Sequence, residues 1–155
     1  MKIKPGVLAL VVLVILFGGI QVASAMGLWQ TTSSKVPAKF ETGDYAGTYN
    51  PADIRGSYTF AEIADVFQIE TDVLLQAFGF APETDPSQLK SKDLEARFAG
   101  AAFEIGNGSM QVFVALYQNM PIDLADEGLP SPAVDIILAS NQKLSSDSLS
   151  WLERH

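Results

Sequence analysis

The sequence predicts an all-α protein: an N-terminal transmembrane or signal helix and an extended linker, followed by a small bundle of about six short helices. Three observations predict this architecture. An uncharged apolar run follows a basic N-terminus, the second half of the chain contains one helix-capping signal after another, and no segment sustains the apolar–polar alternation of a half-buried strand.

Residues 1–29 are predicted to be a membrane anchor or a signal peptide. The run from Val7 to Ala25 is 19 residues long, which is enough to cross a hydrocarbon core at about 1.5 Å per residue. Trp29 is typical of the membrane–water boundary, so the segment from Val7 to Trp29 is the predicted membrane contact. Ala23-Ser24-Ala25 fits a signal-peptidase site and leaves cleavage after Ala25 as the alternative. The C-terminal domain is expected outside the cytoplasm, either held by a single-pass anchor or secreted.

Residues 30–57 are predicted to be an extended linker, since Gly, Pro, Ser and Thr are frequent there and no period is sustained. Residues 58–155 are predicted to be the helical domain. It opens with a capping box at Thr59 and Glu62. Further helices are predicted over 71–78, 91–98, 109–118 and 133–139, and a last one after Ser145. Units 58–80 and 90–120 share a faint apolar pattern, which leaves open a duplication of two hairpins ahead of the C-terminal helices.

The first hairpin is helix-turn-helix-like, but its charges exclude nucleic acid as a partner. The second helix begins Glu70-Thr71-Asp72, without an Arg or Lys to meet phosphate or guanine. The whole chain has a net charge of −8, which repels a polyanion.

The composition also excludes most kinds of catalytic site. The protein is therefore predicted not to be an enzyme and to need no cofactor. There is no Cys, and the one His is the terminal His155. Thiolate metal sites, iron–sulfur clusters and His-based triads are therefore excluded within this chain. Gly106-Asn107-Gly108 lacks the third Gly of a dinucleotide fingerprint, because Gln111 stands there, and it is predicted to be a turn.

Two sets of residues are weak candidates for a ligand site. Asp123, Asp126 and Glu127 could supply oxygen ligands to Ca²⁺, although their spacing matches no EF-hand and a solvated acidic loop is the favoured interpretation. Three tyrosines could stack on a glycan, but packing of the linker is favoured: Tyr45, Tyr49 and Tyr58.

A structural hinge between anchor and domain is predicted at residues 53–62. It comprises Asp53, Arg55, Gly56, Tyr58, Thr59 and Glu62. Arg55 is expected to pair with Asp53 or Glu62, and the sequence does not choose between them. Gly56 is expected to supply a positive φ ahead of the capping box.

Several segments resemble a module of bacterial and archaeal membrane proteins that bind 4Fe-4S clusters, the polyferredoxin-like proteins. The resemblance covers nearly all of the chain from residue 17. The matching segments are Phe17-Gly18-Gly19-Ile20, Gly27-Leu28-Trp29, Ser33-Ser34-Lys35-Val36-Pro37, the run from Asn50 to Thr59, the run from Met110 to Tyr117, Leu129-Pro130 with Pro132-Ala133-Val134, and the run from Trp151 to His155.

The resemblance implies a standalone, singly anchored form of an extracytoplasmic helical module. It lends no catalytic residue, and iron–sulfur chemistry would belong to another protein. The function predicted is a non-catalytic accessory or interaction module for a membrane electron-transfer complex, with an iron–sulfur or cytochrome-type partner. The alternative is an extracytoplasmic ligand-binding module for a cell-wall glycan or a metal ion.

Overall fold

The computed structural model describes residues 6, 11–15, 17–18, 35–124, 127–140 and 143–154. The chain divides into two compact units, Met1–Ser34 and Lys35–His155. In the first unit the described residues are helical. Most of the predicted anchor or signal segment, with Ala25 and Trp29, lies outside the described residues.

Among the described residues, no helix is both long and apolar enough to span a membrane.

The second unit is helical, which confirms the predicted all-α class. Its described residues form a 3-10 turn and six α-helices: Pro51–Asp53, then α1 Phe60–Phe67, α2 Thr71–Ala77, α3 Asp93–Arg97, α4 Asn107–Tyr117, α5 Ser131–Ala139 and α6 Ser146–Leu152. Within the same described ranges there is no regular strand, only isolated bridges that join Lys39 to Tyr49, Thr59 to Lys90 and Glu104 to Glu127.

The helices begin largely where the sequence places caps. In the capping box ahead of α1, the Glu62 N–H donates to Thr59 Oγ1 at 3.2 Å and the Thr59 N–H donates to Glu62 Oε2 at 2.8 Å. Ser145 Oγ accepts from the Ser148 N–H at 3.1 Å at the start of α6. At α5, Pro130 occupies the N-cap position and the helix begins at Ser131, two residues before the predicted start at residue 133.

Each of the first three long helices ends on a residue in the left-handed region. The residues are Gln68 with φ 53° after α1, Gly79 with φ 65° after α2 and Asn119 with φ 55° after α4. This conformation reverses the chain and lets the next N–H reach back to the helix. The Ile69 N–H, for example, donates to the Ala64 carbonyl at 3.0 Å. Each of these helices therefore ends where the chain reverses direction over the core.

The core is built on α4 and a chain of aromatic rings. α4 packs against α5 and the 3-10 turn, α2 packs against α5, and α1 packs against α2. Phe78 is fully buried and meets the rings of Phe60 and Phe113 edge-on, with centroids 5.8 and 5.7 Å away. Phe80 and Tyr117 extend the chain at either end. Such edge contacts are a preferred geometry for aromatic pairs, so the rings join α1, α2 and α4 into one core.

The compact unit begins at Lys35 and not at residue 58, so residues 35–57 of the predicted extended linker are part of it. The Ala38 N–H donates to Asp53 Oδ2 at 2.7 Å and the Asn50 N–H donates to the Ala38 carbonyl at 2.8 Å. The Tyr45 hydroxyl donates to the Asn119 carbonyl at 2.6 Å, beyond the end of α4. We call residues 35–54 the strap.

Two side-chain amides on α4 hold the C-terminal end of the strap. Asn107 Nδ2 donates to the Ile54 carbonyl at 3.0 Å. Gln111, one turn further along α4, donates to the Ile54 and Ala52 carbonyls at 2.7 and 3.1 Å. Because Ile54 is itself buried, the strap is attached by apolar packing as well as by hydrogen bonds.

Candidate functional site

Of the two partners expected for Arg55 in the predicted hinge, the structure pairs it with Asp53 and not with Glu62. Arg55 Nη2 lies 3.6 Å from Asp53 Oδ1, and its side chain is 61% exposed. Glu62 binds Lys35 instead, with Lys35 Nζ 3.0 Å from Glu62 Oε1. A loose, exposed pair such as Arg55–Asp53 contributes about 0–1 kcal/mol to stability. Arg55 therefore contributes little to the stability of this segment.

Gly56 is required for a close approach of two chain segments, and the expected positive φ is wrong. A Cβ on Gly56 would lie 3.0 Å from the Cβ of Lys92. The Lys92 N–H donates to the Gly56 carbonyl at 3.1 Å, and the Ser91 N–H donates to the Tyr58 carbonyl at 2.9 Å. Residues 56–60 thus run alongside residues 89–92, and the contact leaves little room for a side chain at position 56.

Gly56→Val should therefore lower the melting temperature of the protein more than Arg55→Ala does. The branched side chain would push the two segments apart, at a cost of about 1–3 kcal/mol, whereas Arg55 loses only a solvated pair. Thermal unfolding followed by circular dichroism measures the difference. Lys90→Ala, an exposed change in the same region, is the control. Equal melting of all three variants would contradict this account of Gly56.

The link from Lys35 to Glu62 makes the capping box sensitive to pH. Burial alone would raise the pKa of Glu62. Hydrogen bonds from the Thr59 backbone N–H and from the Lys35 ammonium outweigh burial, so the pKa of Glu62 lies below its ordinary value. A carboxyl with a depressed pKa contributes stability that is present above its unfolded pKa of about 4.3 and is lost as the pH falls through the folded pKa.

Glu62→Gln should accordingly lower the free energy of unfolding at pH 7 by up to about 1 kcal/mol, a small effect because the pair is partly solvated. Glutamine can still close a capping box, so the change tests the charge. Urea denaturation at pH 7 and pH 3 measures it, and the difference from the native protein should shrink at the lower pH. Asp65→Asn, an exposed carboxyl on the same helix, is the control. An equal deficit at both pH values would refute the assignment.

The three tyrosines considered for ligand stacking all contact the protein itself. Tyr58 is buried, and burial raises the pKa of Tyr58. Tyr49 meets Phe67 edge-on with centroids 6.4 Å apart, and Lys39 Nζ lies 4.8 Å above its ring. Tyr45 bonds Asn119 as described. These contacts favour the packing interpretation.

The acidic cluster is divided between described and undescribed residues. Asp126 lies outside the described residues, and Asp123 borders a surface cleft of about 460 Å³ between the strap, the end of α4 and the start of α6. Across the described ranges, no three potential metal ligands come together.

Glu127 of that cluster lies at the N-terminus of the core helix α4. A Cβ on Gly108, in the first turn of α4, would overlap the Glu127 carboxyl group. The Gly128 N–H donates to the Glu104 carbonyl at 2.9 Å and fixes this approach. The partial positive charge of a helix N-terminus favours a carboxylate. Asn107 and Gly108, predicted to belong to a turn, instead form the start of α4, and the Glu127 carboxyl group lies beside them.

A surface groove that the sequence did not predict lies between the end of α2 and the start of α5. Its volume is about 680 Å³, within the range of about 300–1,000 Å³ usual for ligand pockets, and mostly apolar residues line it: Asp72, Leu75, Gln76, Gly79, Phe80, Ala81, Pro82 and Pro132. Leu75 is buried at its base, whereas Ala81, Pro82 and Pro132 are exposed. We call it the α2–α5 groove.

Arg97 on α3 contacts two of the residues that line this groove, Gly79 and Phe80. Its guanidinium donates to the Phe78 carbonyl at 3.2 Å and to the Gly79 carbonyl, and its Cζ lies 4.1 Å from the centroid of the Phe80 ring. A cation here binds carbonyls at the end of α2 and the aromatic face together. Because Gly79 has no side chain, the groove stays open beside Arg97.

The sequence did not predict the groove or the backbone contacts of Arg97, Asn107 and Gln111. All three are polar side chains whose partners are backbone carbonyls 18 or more residues away. Such long-range contacts produce no periodic pattern in the amino-acid sequence. The one available signal is the Phe78-Gly79-Phe80-Ala81-Pro82 run, in which apolar residues continue past the end of a helix.

Comparison with known protein families, with curated proteins and with solved structures gives no match.

Proposed function

We propose that this protein is a non-catalytic interaction module that a membrane anchor holds outside the cytoplasm, where it serves a membrane complex. The observation that carries the proposal is that one chain combines an apolar N-terminal run with a separate compact helical unit. An uncharged run of 19 residues occupies the N-terminus, and a separate compact helical unit begins at Lys35. An apolar run of that length needs a membrane or a secretion pathway.

The charge of the chain supports the same proposal. A net charge of −8 gives no electrostatic attraction to anionic lipid headgroups, which suits a folded unit that stands off the membrane. The resemblance to modules of polyferredoxin-like proteins makes an electron-transfer complex the proposed partner. In that arrangement the clusters or haems sit in the partner, since this chain has no Cys and only one His.

Topology can be tested directly because the chain has no native Cys. A cysteine introduced as Ser150→Cys, at an exposed site on α6, should react with a membrane-impermeant maleimide on intact host cells. Cells opened before labelling give the maximum signal. Labelling that requires opened cells would contradict the proposed location, and full-length protein found only in the medium or cytosol would contradict the anchor.

The partner is tested by purification of the tagged full chain after extraction in mild detergent. The proposal expects a co-purifying integral membrane protein with the visible absorbance of an iron–sulfur cluster or a haem. A chain that elutes alone from its native membrane, at several detergent strengths, would count against the accessory role.

A further inference from the structure

We propose that the α2–α5 groove binds a short peptide segment that is both apolar and basic, presented by the partner protein. The inference rests on the proposed function, since it names the surface through which such a module would act.

The groove is formed by residues that lose little freedom when a ligand binds. Pro82 and Pro132 form walls in which the ring fixes φ, and Leu75 and Phe80 are held by the core. A site that is already formed avoids part of the ordering cost of binding. Gly79 adopts a left-handed φ of 65°, and a side chain there would be strained and would narrow the groove next to Arg97.

The lining favours apolar side chains over a polar small molecule. Leu75, Phe80, Ala81, Pro82 and Pro132 offer carbon surface. The polar side chains Asp72 and Gln76 both stand on the exposed face of α2, at one wall. A ligand would therefore bury apolar side chains on the floor and meet polar groups only along the α2 side. This is the pattern of an amphipathic peptide in a groove.

Charge decides which amphipathic peptide fits. Residues 56–89 contain six acidic residues and no basic residue, and Asp72 lies directly in the lining. Arg97 is the cation at this end of α2, and its donors are directed at the Phe78 and Gly79 carbonyls. An acidic peptide would meet like charge, whereas Lys or Arg beside the apolar anchors would be attracted and steered.

The experiment measures binding of a labelled amphipathic peptide of leucine and lysine to the full chain in zwitterionic detergent micelles, by fluorescence anisotropy against empty micelles. Two matched peptides separate the contributions. One carries glutamate at every lysine position, and the other carries serine at every leucine position. The proposal expects the leucine–lysine peptide to bind, to weaken as salt rises, and to be the tightest of the three.

Variants locate the binding. Gln76→Arg adds a charge to the exposed wall and Ala81→Trp fills the groove without charge, and each should raise the Kd by about tenfold or more. Ser150→Arg makes the same charge change on the exposed face of α6, outside the groove, and should leave the Kd unaltered. Melting curves confirm that each variant is folded. If one groove variant does not fold, the other decides the test.

Binding that is equal in the native chain and both groove variants would overturn the proposal, as would equal binding of the glutamate peptide. These outcomes differ from a failure of the proposed function. A membrane partner that co-purifies equally well with the native chain and with Gln76→Arg would leave the accessory role standing and remove the groove from it.

Discussion

Phe78→Ala should lower the free energy of unfolding by about 3–5 kcal/mol, the usual cost of deleting a fully buried Phe ring. Phe78 has no exposed surface and joins Phe60 on α1 to Phe113 on α4 through two edge contacts. Its removal would leave a cavity and break the aromatic chain at its centre, so α1 and α4 would lose their shared neighbour.

Urea unfolding of the full chain, followed by circular dichroism, measures this loss. Leu138→Ala on α5 is the control, since Leu138 is 51% exposed and should change the free energy of unfolding by about 0.5 kcal/mol or less. A loss below about 1 kcal/mol for Phe78→Ala would mean that the ring is not at the centre of a close-packed core.

Gly108→Ala should destabilise the protein in the native background and stabilise it when Glu127 has been replaced by Ala. A methyl group at position 108 would overlap the Glu127 carboxylate. Loss of a carboxylate at a partly buried helix N-terminus costs up to about 2 kcal/mol. Alanine within a helix otherwise gains about 1 kcal/mol over glycine.

A double-mutant cycle measures this change of sign. The four proteins are the native chain, Gly108→Ala, Glu127→Ala and the double variant, each unfolded in urea at pH 7. We expect a coupling energy of about 1–3 kcal/mol, as for residues in direct contact. If the two single changes in the free energy of unfolding add up to that of the double variant, the Glu127 carboxylate does not depend on the absence of a side chain at position 108.

Much of the helical domain could be predicted from the sequence because its determinants are local. Thr59 and Glu62 lie three residues apart and identify the start of α1 by their chemistry alone. The apolar positions of α4 mark it as the centre of the core by number and spacing. Here the capping signal and the apolar pattern agreed with the final packing.

The strap and the site residues could not be predicted, because the groups that hold them are distant in sequence. Nothing near Ile54 indicates that Asn107 and Gln111 will bind its carbonyl. The positive φ expected of Gly56 is wrong, since a glycine alone does not distinguish a positive φ from a close approach to Lys92. Glu127 is a weak metal-ligand candidate in a solvated acidic loop by its sequence, because a carboxylate looks the same in sequence whether it meets an ion or a helix end.

The attachment of the strap also has a kinetic consequence. The hydrogen bond from Tyr45 to Asn119 joins residues 74 positions apart, and α1 to α4 all lie between them. Its carbonyl acceptor is positioned only after α4 has formed and ended, so we expect the strap to dock after the rate-limiting step of folding. Tyr45→Phe would then accelerate unfolding and leave refolding unchanged in stopped-flow experiments. Within the unit that begins at Lys35, the segment synthesised first would then be the last to dock.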